Sequence, residues 1–142
     1  RRIASPIPSV RISGPRDAPV RPRSLGASLG ALLRWTLGLW LTQPTSLIPW
    51  GTVAANLIGG YLIGVFIALF QAMPQLDPAW KLAIITGFLG ALTTFSSYSA
   101  EVIGLLQQQR LAAALGWTSV HLVGSLFMTY MGMLSWSIWF SH

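Results

Sequence analysis

A dense run of hydroxyl side chains in the middle of an apolar stretch is the sharpest chemical signal in this sequence. Six of the seven residues from Thr93 to Ser99 carry a hydroxyl, and two aromatic rings, Phe95 and Tyr98, stand three residues apart. Hydroxyl groups donate and accept hydrogen bonds, so they can replace the water shell of a small ion or satisfy backbone groups freed where a helix is interrupted. The run therefore indicates a lining for ion permeation, or else hydroxyls packed between helices.

Four further polar side chains lie within or at the ends of apolar segments, where lipid makes polar groups costly. The amide of Asn56 can bridge two helices or donate to an anion, and Thr52 lies one turn earlier on the same face. Arg34 is either a side chain that reaches out to the headgroups or a fixed positive charge at an aqueous vestibule. Glu101 follows Ser97 by one turn, and it lies either in water at a helix end or on a polar track.

Another polar set recurs every four residues near the end of the chain. His121, Ser125 and Thr129 have this spacing, which aligns them on one face of a helix. The face provides either ordinary contacts between helices or a second polar wall opposite Ser96 and Ser97.

Four long apolar segments must position these side chains. Only 8% of the residues are charged, whereas a soluble domain typically carries about 25%. About 20 apolar residues span the hydrocarbon core of a bilayer. The sequence thus predicts an all-α integral membrane protein whose channel domain, residues 24–142, has four transmembrane helices. The predicted helices cover about residues 25–42, 47–73, 80–106 and 111–140.

The basic residues are concentrated before the first apolar segment. Six of the nine lie within residues 1–23, a segment rich in Pro and Ser that we predict to be a disordered basic tail. Because this charge is not on a folded face, nucleic acid is not an expected partner. The charge of the tail favours a cytoplasmic location for the N-terminal side.

Tryptophan and cysteine usage complete the description. Tryptophans near the segment ends are predicted to anchor the helices at the headgroups. They are Trp50, Trp80, Trp117, Trp136 and Trp139. The sequence has no cysteine, which excludes disulfides and thiolate metal sites.

Two motifs and one arginine resemble the CrcB/Fluc family of fluoride channels. The motifs are Gly-Thr-x-x-x-Asn-x-x-Gly at residues 51–59 and Gly-x-x-Gly-x-x-Thr-Thr-Phe-Ser at residues 87–96, and the arginine is Arg34. The resemblance covers about residues 25–140. It implies that two copies of the chain form an antiparallel, dual-topology dimer with two pores, and that the third helix is broken at its centre.

The resemblance also implies roles for individual residues. A structural sodium ion is expected on the two-fold axis, held by the backbone carbonyls of Gly90 and Thr93. Fluoride is expected to pass Asn56, then the ring edges of the two aromatic residues, then two hydroxyls, toward a carboxylate. The rings are those of Phe95 and Tyr98, the hydroxyls are those of Ser96 and Ser97, and the carboxylate is that of Glu101. The pore set is completed by Thr52, Arg34, His121, Ser125 and Thr129.

This chain departs from the family pattern at two places. The family usually has Thr-Phe-Ser-Thr-Phe-Ser, whereas Ser97 and Tyr98 stand in the second half of the run here. The family usually has tyrosine where His121 stands. Ser97 keeps the hydroxyl, and Tyr98 keeps the ring and adds a phenol.

The function implied by the resemblance is passive, fluoride-selective conduction that lets toxic fluoride leave a bacterial cell across its inner (plasma) membrane. Two alternative functions make different demands on the polar residues. A proton-coupled small multidrug exporter relies on a glutamate in its first helix, where this chain has only Arg34. A structural membrane protein would use the polar residues only to join helices. No nucleophile–base pair, metal cluster or phosphate loop is identifiable, so an enzyme is not expected.

Overall fold

The described part of the polypeptide forms four helical passes. The computed structural model describes residues 20–43 and 49–140, and these residues form helices, turns and short connections without a strand. The first two passes are α1 (Val20–Leu41) and α2 (Trp50–Ala72). The third pass is divided into α3 (Pro78–Lys81), a π-helical segment (Leu82–Leu89), α4 (Gly90–Leu92) and α5 (Phe95–Gln107). The fourth pass is α6 (Leu111–Phe140).

The helix bounds follow the predicted segments, with one difference at the N-terminal end. Helix α6 covers the predicted residues 111–140, and the second and third passes begin and end within three residues of their predicted limits. Helix α1 begins at Val20, so residues 20–23 of the predicted tail are helical. Pro22 is compatible with this start, because the first turn of a helix has no acceptor for its N–H groups. Residues 1–19 lie outside the described part of the chain.

Three of the four described helical passes are long and apolar enough to cross a membrane. They are Trp50–Ala72, Pro78–Gln107 and Leu111–Phe140. The shortest has 23 residues and is about 34 Å long, which exceeds the roughly 30 Å of a hydrocarbon core. Helix α1 is not in this set, and its arginines lower its apolar content. A transmembrane course for α1 therefore stays a prediction.

Small residues let the helices approach at backbone distance. A Cβ atom added at Gly26 would meet the carbonyl oxygen of Ala83, and one at Gly30 would meet that of Phe88, where α1 packs along the π-helical segment. On α2, Gly60 faces the backbone of Ser125 on α6 in the same way. Inside lipid, close packing replaces the hydrophobic effect as the force that joins helices. These contacts set the distances across which the polar side chains meet.

The third pass is interrupted inside the hydroxyl-rich run. Helix α4 ends at Leu92, and the next two residues are extended: Thr93 has ψ 152°, and Thr94 has φ −147° and ψ 116°. Helix α5 then begins at Phe95, with Thr94 as its N-cap. The N–H of Thr93 still donates to the carbonyl oxygen of Leu89 at 2.9 Å, but the N–H of Thr94 donates to a side chain instead of the carbonyl four residues earlier. Such a partner is needed within an apolar pass, because lipid offers none.

Candidate functional site

Asn56 on α2 bonds both backbone groups of the extended residue Thr94. The N–H of Thr94 donates to Asn56 Oδ1 at 2.8 Å, and Asn56 Nδ2 donates to the carbonyl oxygen of Thr94 at 3.1 Å. Asn56 Nδ2 also lies 3.0 Å from Nδ1 of His121 on α6. The amide thus replaces the helical acceptor that the Thr94 N–H loses at the interruption, and it adds a donor to the Thr94 carbonyl. It joins three of the passes at one point.

The side chain of Thr94 closes the start of α5. Its hydroxyl oxygen accepts from the N–H of Ser97 at 3.2 Å, which is the usual role of an N-cap residue. The same hydroxyl donates to Ser97 Oγ at 3.0 Å and lies 3.3 Å from Ser96 Oγ. Thr94 is buried, whereas Ser96 is exposed and Ser97 is half-buried. Hydroxyls of the run are therefore linked to each other through Thr94.

The interruption changes the surroundings of two carbonyl oxygens, those of Gly90 and Thr93. In a continuous helix each would accept from the N–H four residues later, which belongs to Thr94 and to Ser97 respectively. Here the Thr94 N–H donates to Asn56, and the Ser97 N–H donates to the hydroxyl of Thr94. Both carbonyls that the family resemblance assigns to sodium have thus lost their helical donors. Carbonyl oxygens are hard ligands suited to such a cation.

Glu101 lies among hydrogen-bond donors inside the bundle. Thr52 donates its hydroxyl to Oε1 at 2.6 Å, and the indole of Trp117 donates to Oε2 at 2.8 Å. His121 Nε2 stands 4.0 Å from Oε2. Bonds to a charged acceptor are among the stronger hydrogen bonds of proteins, and they reduce the cost of holding a carboxylate away from water. The position of Glu101 is set by three helices, α2, α5 and α6.

Trp117 corrects a prediction. Its place near the end of an apolar segment predicted a position at the headgroups, but only 7% of its surface is exposed and its N–H is bonded to Glu101. Trp50, by contrast, is half exposed, and its ring meets Trp117 edge-on at a centroid distance of 6.1 Å. The prediction was wrong because a polar partner sixteen positions earlier in sequence, on another helix, draws the indole inward.

A line of aromatic rings connects the hydroxyl run to α6. The ring centroids of Phe95 and Tyr98 are 5.3 Å apart, and those of Tyr98 and His121 are 4.9 Å apart. The phenol of Tyr98 donates to Thr118 Oγ1 at 3.3 Å, so the additional hydroxyl of this chain is bonded to a neighbouring helix. Phe95 is 79% exposed at the outer surface of the single chain.

Two grooves meet at Thr94. The larger has a volume of about 610 Å³, and its lining includes Asn56, Tyr98 and His121. Other predicted residues also line it: Gly90, Thr93, Phe95, Ser125 and Thr129. The smaller groove, of about 250 Å³, is lined by residues that include Arg34, Thr52, Thr94 and Ser97. Thr94 belongs to both linings, so the interruption of the third pass separates the two spaces.

The predicted site residues are divided between the two grooves, whereas the polar face of α6 was a candidate second wall opposite the serines. Ser97 lines the smaller groove, and His121 lines the larger one. The predicted second wall opposite the serines is therefore not found within one groove of a single chain. Ser96 and Glu101 line neither groove. Sequence reasoning also missed Thr94, Trp117 and Thr118, of which only Thr94 had a signal, its place in the hydroxyl run.

Comparison with known proteins identifies the family. The family model described as CrcB-like protein, Camphor Resistance (CrcB), matches residues 23–133, which cover most of each of the four helical passes. The chain belongs to the CrcB-like family. This confirms the resemblance found in the two motifs.

Relatives within the CrcB-like family are similar over most of their length. A protein of Albidiferax ferrireducens named fluoride-specific ion channel FluC is 64% identical over 109 residues, which cover 77% of this chain and 83% of that protein. A protein of the same name from Paracidovorax citrulli is 56% identical over 118 residues, covering 83% and 93%. One from Variovorax paradoxus is 56% identical over 117 residues, covering 82% and 93%. The family is one of ion channels, not enzymes, and this chain is a multi-pass membrane protein.

Proposed function

We propose that this chain is a fluoride-selective channel through which fluoride leaves a bacterial cell across the inner membrane, down its electrochemical gradient. The observation that carries the proposal is the interrupted third pass, where hydroxyls, an amide and aromatic rings gather between two grooves. The relatives named as fluoride-specific channels support the choice of ion.

The chemistry of the groove residues suits a small, strongly hydrated anion. Fluoride gives up its water only where donors replace it, and hydroxyls, an amide N–H and the positive edges of aromatic rings are such donors. Arg34 in the smaller groove provides a positive charge that attracts an anion toward Thr52 and Ser97. Asn56, Phe95 and Tyr98 lie on the other side of Thr94. Fluoride would pass between the two grooves at this residue.

A second copy of the chain is proposed to complete the pore. The ring of Phe95 is expected to contact fluoride, yet in a single chain it is mostly exposed at the edge of the groove. Gly90 is also exposed there. Helix α6 presents the exposed apolar side chains of Leu122, Leu126 and Phe127, and Leu122 lines the same groove as Phe95 and Gly90. We infer that a second, antiparallel copy packs against this region. Each of two pores would then be lined by both copies.

A structural sodium ion is proposed at the centre of that dimer. The carbonyls of Gly90 and Thr93 would hold it, since their helical donors are bonded elsewhere. No cluster of three acidic, histidine or cysteine side chains suited to a metal occurs in the described ranges 20–43 and 49–140, so backbone oxygens are the natural ligands. The ion would supply positive charge near the path of the anion and would join the two chains.

Anion release from liposomes tests the proposal. Purified protein is reconstituted into liposomes loaded with fluoride or chloride, and ion-selective electrodes record the release. We expect rapid fluoride efflux with little chloride efflux. Asn56→Asp should abolish fluoride efflux, because a carboxylate cannot donate to the Thr94 carbonyl and its charge repels the anion.

Gln71→Glu is the matched control for that variant. It makes the same amide-to-carboxylate change on α2, at an exposed residue that lines neither groove. This control should conduct fluoride like the wild type. Equal efflux of chloride and fluoride from wild-type liposomes would contradict the proposed selectivity. Drug-dependent proton flux would favour an exporter instead.

A further inference from the structure

The backbone of Thr94 determines the orientation of the Asn56 amide. A backbone N–H only donates and a carbonyl only accepts, so the two bonds to Thr94 place Oδ1 at the N–H and Nδ2 at the carbonyl. A flipped amide would set donor against donor and acceptor against acceptor. The assignment of oxygen and nitrogen in Asn56 therefore follows from the hydrogen-bond network.

This orientation decides which nitrogen of His121 carries the proton. Asn56 Nδ2 has only donors, and it lies 3.0 Å from His121 Nδ1, so Nδ1 must accept. In a neutral imidazole with an accepting Nδ1 the proton is on Nε2. An imidazolium ion has no accepting nitrogen and would lose the bond to Asn56.

His121 is held tightly in this position. Only 6% of the residue is exposed, and Nε2 is buried without a hydrogen-bond partner in the described part of the chain. The ionisable side chains that contact it there are Glu101, 4.0 Å away, and Tyr98, whose tilted ring has its centroid 4.9 Å from that of the imidazole; both belong to α5. Trp117 packs on another side of the ring. A proton added at Nδ1 would make the ring positively charged. The ring would then be attracted to Glu101 and would move away from the amide of Asn56.

We propose that His121 is a positioning residue. In its neutral Nε2–H form it accepts from Asn56 and holds that amide against the extended backbone of Thr94. Protonation of His121 removes this support, so fluoride conduction falls as the pH is lowered. The transport part of this inference rests on the proposed fluoride channel, whereas the position of the proton does not.

Nitrogen NMR reads the tautomer directly. Protein labelled with ¹⁵N-histidine is reconstituted into bilayers, in a His142→Asn background that leaves His121 as the sole histidine of the two in the sequence. At pH 7.5 we expect a protonated Nε2 resonance and an unprotonated Nδ1 resonance. A proton on Nδ1, or on both nitrogens, would overturn the inference even if the protein conducts fluoride.

Two substitutions connect the tautomer to transport. His121→Gln keeps an acceptor for Asn56 but does not titrate, and His121→Leu removes the acceptor. Fluoride efflux is measured from pH 8 to pH 5.5, with protein-free liposomes to subtract leakage through lipid. We expect wild-type efflux to fall toward acid pH, the Gln variant to stay constant, and the Leu variant to be about tenfold slower throughout, equivalent to the loss of one hydrogen bond.

The possible outcomes separate the two proposals. A Gln variant with the same pH profile as the wild type would refute the positioning role while leaving the channel intact. Absence of fluoride efflux from every sample would refute the channel, and the NMR result would still decide the tautomer. Gel filtration and circular dichroism of the Leu variant establish that it is folded, so that slow efflux is not mistaken for unfolding.

Discussion

At the scale of single residues, the site consists of polar groups that satisfy one another before any ion arrives. Glu101 accepts from Thr52 and Trp117, and Asn56 bonds the backbone of Thr94. Each such bond removes the cost of an unpaired polar group inside lipid, which is several kcal/mol for a backbone group. These residues therefore stabilise the fold as well as line the proposed path.

The bond between Thr52 and Glu101 is open to measurement. Thr52→Val replaces the hydroxyl by a methyl of similar size and removes a donor 2.6 Å from Oε1. We expect a loss of about 1.5–3 kcal/mol in the free energy of unfolding in detergent, because the bond is to a charged group. Thr36→Val is the control, since its hydroxyl bonds the carbonyl of Leu32 in its own helix. If both variants lose the same stability, Glu101 does not depend on Thr52.

At the scale of the helices, close contact between α2 and α6 brings Asn56 within reach of His121. Gly64 faces the backbone of Thr129, and Gly132 faces that of Tyr61. Larger side chains at these points would separate the helices and lengthen the bonds that join them. The 3.0 Å bond between Asn56 and His121 therefore depends on glycines that take no part in the chemistry.

Two glycines of α6 give opposite predictions. At Gly132 an added Cβ atom would meet the carbonyl oxygen of Tyr61, whereas at Gly116 nothing lies within 4 Å. Gly132→Ala should therefore destabilise the protein by about 1–3 kcal/mol. Gly116→Ala should be neutral or stabilise it by up to about 1 kcal/mol, because alanine favours a helix. Thermal unfolding followed by circular dichroism checks both, and equal effects would contradict the packing described for α2 and α6.

At the scale of the whole molecule, one chain leaves the proposed site half open. The larger groove is lined by helices of a single chain, yet Phe95 at its edge is 79% exposed and Gly90 is exposed nearby. An aromatic ring that contacts a permeating ion must be shielded from lipid. The proposed dimer would provide this shield, and it would bring the Gly90 carbonyls of two copies toward the proposed sodium ion.

Cross-linking tests the dimer and its cation together. The natural chain has no cysteine, so Gly90→Cys provides a single thiol that should react with its equivalent in a second copy through a short bismaleimide. Gly104→Cys, on α5 and in open surroundings, is the control. We expect a covalent dimer for Gly90→Cys only, in lower yield when sodium is replaced by N-methyl-D-glucamine. Monomers alone would refute the proposed interface, and a yield independent of sodium would refute the ion.

Several features of the fold and site were predictable because local physics determines them. Apolar length predicted the passes, and α6 has the predicted bounds 111–140. The hydroxyl run at residues 93–99 predicted a polar centre, because such residues weaken a helix and bond freed backbone groups. The family followed from the two motifs and is confirmed by the relatives. The start of α1 was harder to predict, because the sequence alone does not distinguish a proline in the first turn of a helix from one in a disordered tail.

The sequence by itself determined that the chain is a membrane protein. It also determined where polar residues interrupt the apolar passes. Only the tertiary structure decided which polar groups pair. Asn56 and His121 are 65 positions apart, and Thr52 and Glu101 are 49 apart, so no local pattern links them. The same holds for Trp117, which turns inward to Glu101 instead of anchoring at the headgroups. Such pairs form because an unpaired polar group in lipid is costly, and its partner is whichever donor or acceptor helix packing brings near.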